Sequence, residues 1–231
     1  MGTLTVSRST VALVLFGTAT ATFSQCDRWQ QRIRCELTTE LDVRTHRFTG
    51  TEKLTYTNNS PDTLRQVFFH LYFNAFKPGS EMDERSRAIA DPDPRVGDRI
   101  AKLGPEEVGD LHCTGMLQDG KAVALEELGT ILRVTLAKPL MPGKSTALSF
   151  RFQGQVPVQI RRSGRNNAEG IAYSMTQWFP KVAAYDHHGW HPDPYVGREF
   201  YGEWGDYDVR LTLDSSYSVA ATGTLENAAS I

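Results

Sequence analysis

The stretch IRCELTTELDV, residues 33–43, decides the fold class. Ile33, Cys35, Leu37, Thr39, Leu41 and Val43 occupy every second position, with mostly polar or charged residues between them. That is the period of a half-buried β-strand, because successive side chains of a strand point to opposite faces. Phe48, Leu54 and Tyr56 continue it on even positions, with Gly50 read as a bulge. The cluster NNSPD (58–62) is a turn, although Asn58-Asn59-Ser60 also has the form of a glycosylation sequon. Residues 64–72 are nearly continuously apolar, as in a strand covered on both faces.

Working outward, residues 77–109 break the alternation. They are rich in proline and charge and read as a long surface excursion with a short helix at 81–89. Strands resume with Leu111, Cys113 and Leu117, and Asp119-Gly120 suits a tight hairpin turn. Residues 131–136 and 146–156 are two more strands, with Pro142-Gly143 turning between them. Tyr207, Val209, Leu211 and Leu213 alternate cleanly, and Tyr217, Val219 and Ala221 read as a further strand. No long 3.6-residue stripe and no 20–50-residue repeat is present. The expectation is an all-β fold, a large mostly antiparallel β-sheet or sandwich, in one domain.

Composition fits that class. The 231 residues are 40% hydrophobic and 23% charged, with a net charge of -2. No basic excess exists to neutralise phosphates, so nucleic acid is not an expected partner. Residues 1–25 read as a signal peptide: Arg8 is the positive start, residues 11–16 are the apolar heart, and small residues follow. That heart is too short to span a bilayer, so no membrane span is expected. The mature domain would be 26–231, exported to a periplasmic or secreted location. Lipidation at Cys26 is the weaker reading, because Gln25 precedes it where a small residue belongs. In an oxidising compartment Cys26 and Cys35 could form a bridge; the plainer reading makes Cys35 and Cys113 buried thiols within strands.

The densest segment for chemistry is residues 173–208, with three of the four tryptophans and three of the six histidines. His187 and His191 have the spacing of a helical zinc pair, but His188 stands where the catalytic Glu belongs, and Gly189, Pro192 and Pro194 oppose a helix. A loop site of His187, His191 and Asp193 is the weaker residue of that idea. Glu199 with Glu203, or Asp206 with Asp208, could form a carboxylate pair, though nothing in the sequence orients them. Trp178, Tyr185, Trp190 and Tyr195 could instead form an aromatic platform, which suits a free-standing exported β-sandwich that binds carbohydrate or peptide.

The runs YSMTQWFPKVAAYD (173–186), GWH (189–191) and GREFYGEWG (197–205) resemble the N-terminal domain of zinc metallopeptidases of the aminopeptidase N type (family M-one), in its exported bacterial branch. TYTNNSPD (55–62), FHLYFN (69–74), LMPG (140–143), YSVAATG (217–223) and LEN (225–227) agree in order. The resemblance implies a saddle-like β-domain that caps a downstream thermolysin-like catalytic domain of the same polypeptide, with peptide substrate at the domain interface. Zinc is implied for the full-length enzyme only. Its motif lies in the next domain, so no catalytic residue, no metal ligand and no activity are expected in this segment. The substrate-binding residues carried over are Gln177 and its neighbour Thr176. The chain departs from the pattern at Phe179, where strict aminopeptidases place an acidic or amide residue that helps hold the free N-terminus.

Overall fold

The computed structural model describes residues 28–89, 94–197 and 201–228. The stretch expected to be a signal peptide (1–25), Cys26 and the Arg198-Glu199-Phe200 part of the family-like run lie outside them. The strands are β1 (Arg32–Asp42), β2 (Arg47–Thr57), β3 (Leu64–His70), β4 (Asp110–Gln118), β5 (Lys121–Ala122), β6 (Ala124–Leu128), β7 (Ile131–Leu140) and β8 (Ser145–Gln155). Short pairs follow: β9 (Gly164–Arg165), β10 (Tyr173–Ser174), β11 (Lys181–Val182), β12 (Tyr185–Asp186) and β13 (Gly189–Trp190). The last is β14 (Gly205–Thr212), and one α-helix, α1, spans Glu81–Ala88.

Two sheets enclose the core. The larger runs β14-β1-β2-β8-β4-β5 and the smaller β11-β3-β7-β6. All pairings among the longer strands are antiparallel except β1 with β14, which is parallel. The architecture is therefore all-β. The parity read from residues 33–43 is the parity that is buried: Ile33, Cys35, Leu37 and Thr39 face inward. Phe48, Leu54 and Tyr56 join them from β2, and Leu148, Phe150 and Phe152 from β8. Val67, Phe69, Leu132 and Val134 of the smaller sheet close on them, with Phe69 edge-on to Phe150 at 5.4 Å. Each such side chain removed from water contributes roughly 1.5–3 kcal/mol.

Several expectations change in detail. Gly50 is not a bulge, since β1 and β2 pair in unbroken register across it. A Cβ there would stand 2.4 Å from the Phe152 ring and 2.7 Å from the Thr38 carbonyl oxygen, so glycine is needed for close approach. The register shifts fall instead between Leu64 and Gln66 and between Thr114 and Leu117. The apolar run after His70 leaves the sheet as a 3-10 turn over Tyr72–Phe76, fully buried. The excursion at 77–109 is not wholly superficial, because Met82, Val96 and Ile100 tuck into the core. Its helix forms where expected, with Ser80 accepting from the Asp83 backbone NH as N-cap. Tyr217, Val219 and Ala221 alternate but form no strand, although the Tyr217 ring meets Tyr173 of β10 at 5.8 Å. Asp119 and Gly120 both take positive φ, 47° and 83°, as a two-residue hairpin turn requires.

Asn58 settles the sequon question. Its side chain is buried, and its amide donates to the Asp62 carbonyl at 2.7 Å and the Leu140 carbonyl at 3.2 Å. Its Oδ1 accepts from Ser60 Oγ at 2.6 Å and from Gln31 Nε2 at 3.3 Å. This amide is a structural tie between two turns rather than a glycan acceptor. Asn58→Ala would orphan several of these groups. It is expected to lower the melting temperature by roughly 4–8 °C in calorimetry.

Candidate functional site

Thr176 and Gln177 lie on the loop between β10 and β11, with Thr176 exposed and Gln177 half-buried. The loop is held at three points. Fully buried Ser163 donates through Oγ to the Thr176 carbonyl at 2.5 Å and accepts from the Thr176 backbone NH at 2.9 Å. Its single proton is thus spent, so the Thr176 hydroxyl is the donor in their 2.8 Å contact. Trp178 then inserts edge-on against Phe48, at 6.0 Å, and against Phe179, at 5.4 Å. Phe179 in turn meets Tyr207 at 5.8 Å. These rings close the loop over the inner face of the larger sheet. Between the anchors, Gln177 takes φ 56°, the left-handed region that costs a non-glycine residue about 1–2 kcal/mol.

Behind this loop is a buried polar cluster that the sequence reading missed. Glu52 is 3% exposed, on the inner face of β2. Burial pushes its carboxyl up to about 8. The Cys35 thiol donates to Glu52 Oε1 at 3.2 Å, while Oε2 has no hydrogen-bond partner. Burial, with Glu52 beside it, raises the thiol far above its usual range. Lys181 of β11 reaches the Tyr207 hydroxyl at 3.4 Å and lies 5.3 Å from that ring's centre. Burial draws its ammonium below the usual range, against the pull of Cys35, Glu52 and Glu203. The signal was present in the parity: Glu52 is an even position of a strand whose even positions face inward.

Of the other candidates, Glu199 lies outside the described residues, and the rest form no joint site. His191 Nε2 lies 2.9 Å from Asp186 Oδ1, and the His187 and His188 rings lie against each other with 3.9 Å between centres. Among the described residues no group of three or more His, Cys, Asp or Glu side chains could hold a metal ion, so this donor set does not fit zinc. Asp206 is taken up by Arg32 and Asp208 by Arg210, both on exposed surface. Glu203 is buried and accepts from the Tyr185 backbone NH at 2.8 Å, and burial raises its carboxyl. The proposed aromatic platform is not a surface: Tyr195 is 2% exposed, and Trp178, Tyr185 and Trp190 pack against the core. Cys35 and Cys113 are buried free thiols. Two open clefts, of about 330 and 400 Å³, lie elsewhere. One is lined by Lys77, Ser80, His112 and Glu127, the other by Thr38, Thr51, Thr114 and Arg151.

No family model matches the chain, and no curated protein does. Solved structures do. One is an M1 zinc metallopeptidase from Deinococcus radiodurans, 17% identical at a TM-score of 0.46, over 84% of this chain and 34% of that one. A variant of an M1 zinc metallopeptidase from the same organism, bound to a Tyr-Ser-Ala substrate, is 18% identical at 0.46, over 87% and 36%. A two-domain M1 zinc metallopeptidase variant bound to L-arginine gives 17% and 0.46, over 84% and 34%. The chain thus spans about a third of the length of these enzymes. Among the described residues no helix is long and apolar enough to cross a membrane.

Proposed function

We propose that this chain is the N-terminal cap domain of an exported zinc metallopeptidase and that Gln177, with Thr176, lines the peptide cleft formed with a downstream catalytic domain. The sequence motifs at 173–205 point to that family, and one structural observation carries the site: a non-glycine residue held in left-handed backbone at the tip of an anchored loop. Such strain persists only where the surroundings over-determine it, and it gathers at ligand-contacting positions. A neutral amide there can accept from a substrate amine without the cost of burying a second charge. Among the described residues no cluster of side chains could hold zinc, and this reading gives hydrolysis to the partner domain, where bound zinc would polarise the scissile carbonyl.

The first test is the reading frame beyond Ile231. It is expected to encode His-Glu-x-x-His and a later Glu; a stop codon in place of that sequence ends the reading. In the longer polypeptide, Gln177→Ala is expected to lower kcat/KM for peptides about tenfold or more, mainly through KM, because one buried amide contact of about 1.5 kcal/mol is lost. Unchanged kinetics would remove Gln177 from the cleft.

A further inference from the structure

A polar line crosses the inner face of the larger sheet and reaches the Gln177 loop. On β2, Glu52 Oε1 accepts from the Cys35 thiol of β1, and the buried Oε2 has no hydrogen-bond partner. Tyr207 of β14 stands beside Cys35 in register, so it faces the same way. From the smaller sheet, the Lys181 ammonium donates to the Tyr207 hydroxyl at 3.4 Å. The Lys181 stem runs over Gly202, where a Cβ would stand 2.5 Å from Lys181 Cε, so glycine keeps that path open. Lys181 begins β11, four residues after Gln177, and Phe179 between them rests its ring on the same Tyr207. Two residue pairs hold β11 to β3, Lys181 with His70 and Val182 with Phe69. So short a strand is the part of the sheet that shifts most readily.

We infer that Glu52 and Lys181 form a proton-gated clasp on the Gln177 loop. With Glu52 neutral, the ammonium rests on Tyr207. With Glu52 ionised, it turns inward to the free Oε2 and draws residues 177–181 with it. A buried carboxylate persists only when it is paired. The groups around Glu52 leave one partner for it. The Cys35 thiol has already placed its single proton on Oε1. Cys113, Tyr207 and Glu203, the other titratable groups turned toward the cluster, carry no positive charge in any state. His70 lies beside Lys181, but burial holds its imidazole down to about 4 and so neutral. Lys181 is the cation whose charge acts on Glu52, and an ionised Glu52 favours the ammonium in return. Burial holds the Glu52 carboxyl at about 8, so the clasp changes state in mildly alkaline solution. Its use as a regulator of peptide binding rests on the cleft reading of Gln177; the coupling of charge to loop does not.

Carbon-13 NMR of the side-chain carboxyls tests it, with the Glu52 signal identified as the one that Glu52→Gln removes. In the wild-type chain that signal is expected to titrate near pH 8. The Trp178 indole N–H signal is expected to step with the same midpoint, because Trp178 packs on Phe179 and Phe48. Lys181→Met keeps the stem without the charge. It is expected to raise the Glu52 midpoint by about one pH unit or more, a tenfold weaker acid, since the carboxylate loses its partner. Tyr207→Phe keeps the ring but removes the hydroxyl that holds the ammonium outward, and is expected to lower the midpoint. Opposite shifts separate a clasp from a loss of packing. A Glu52 midpoint that Lys181→Met leaves unmoved, or that Tyr207→Phe fails to lower, overturns the inference. So does a Trp178 step that persists near pH 8 in Glu52→Gln. The Gln177→Ala kinetics judge the cleft reading separately, so either can fail without the other.

Discussion

Replacing Glu52 by glutamine is expected to flatten the fall in stability that the wild-type chain shows as pH rises from 6.5 to 8. Burial holds the Glu52 carboxyl at about 8, against 4.5 for an unhindered glutamate. Between those values the folded chain keeps a proton that the unfolded chain releases. The resulting stabilisation is complete below about pH 4.5 and is lost as pH climbs through the folded value. Its full range is roughly 3–5 kcal/mol, of which about 1.5 kcal/mol lies between pH 6.5 and 8. The window matters because His70 acts in the opposite sense. Burial lowers its imidazole from 6.5 to about 4, so it stabilises the fold above pH 6.5 and loses that effect as pH falls toward 4. Above 6.5 the His70 contribution changes by only about 0.4 kcal/mol, as the remaining protonated imidazole of the unfolded chain titrates, and Glu52 is left as the larger slope. Glutamine keeps the volume and can accept from Cys35, but it does not titrate. Urea midpoints at pH 6.5, 7.2 and 8 read the difference. A flat wild-type profile, or an equal slope in Glu52→Gln, would show that Glu52 ionises as readily folded as unfolded.

The same residue shows how far the sequence could be read. Alternation over residues 33–43 was enough for β1, its inward parity and the fold class, because the period of a strand is a local property. The Asp119-Gly120 hairpin and the Ser80-capped helix are local for the same reason. Glu52 needed one further step, extending the parity of Phe48 and Leu54 to a charged side chain. Gly50 is different in kind: its cause is the Phe152 ring on another strand, about a hundred residues away. The loop at 176–177 was legible as a motif but not as geometry, since Ser163, on a separate segment, holds it. The β14 residues alternate as a buried strand would, yet all are exposed. Alternation reports that a face is apolar, and the surrounding chain decides whether anything covers it.

That distinction gives Phe48 a second role, beyond filling volume. Its ring meets Phe73 at 5.8 Å, Phe152 at 6.3 Å and Trp178 at 6.0 Å, nearly perpendicular to the last. Phe48→Ala is expected to cost about 3–5 kcal/mol, because the lost transfer energy is joined by a cavity that these stiff rings cannot collapse into. It also takes the floor from under Trp178 and so loosens the Gln177 loop. Leu132→Ala, from the buried face of the smaller sheet, is the matched control at about 2–5 kcal/mol. Hydrogen exchange of residues 175–180, compared after matching the two variants in global stability with urea, separates the effects. Faster exchange in Phe48→Ala alone is expected, since only that cavity opens beneath the loop. Equal exchange in both variants would mean that Ser163 by itself sets the loop, and Gln177 would keep its left-handed backbone without help from the core.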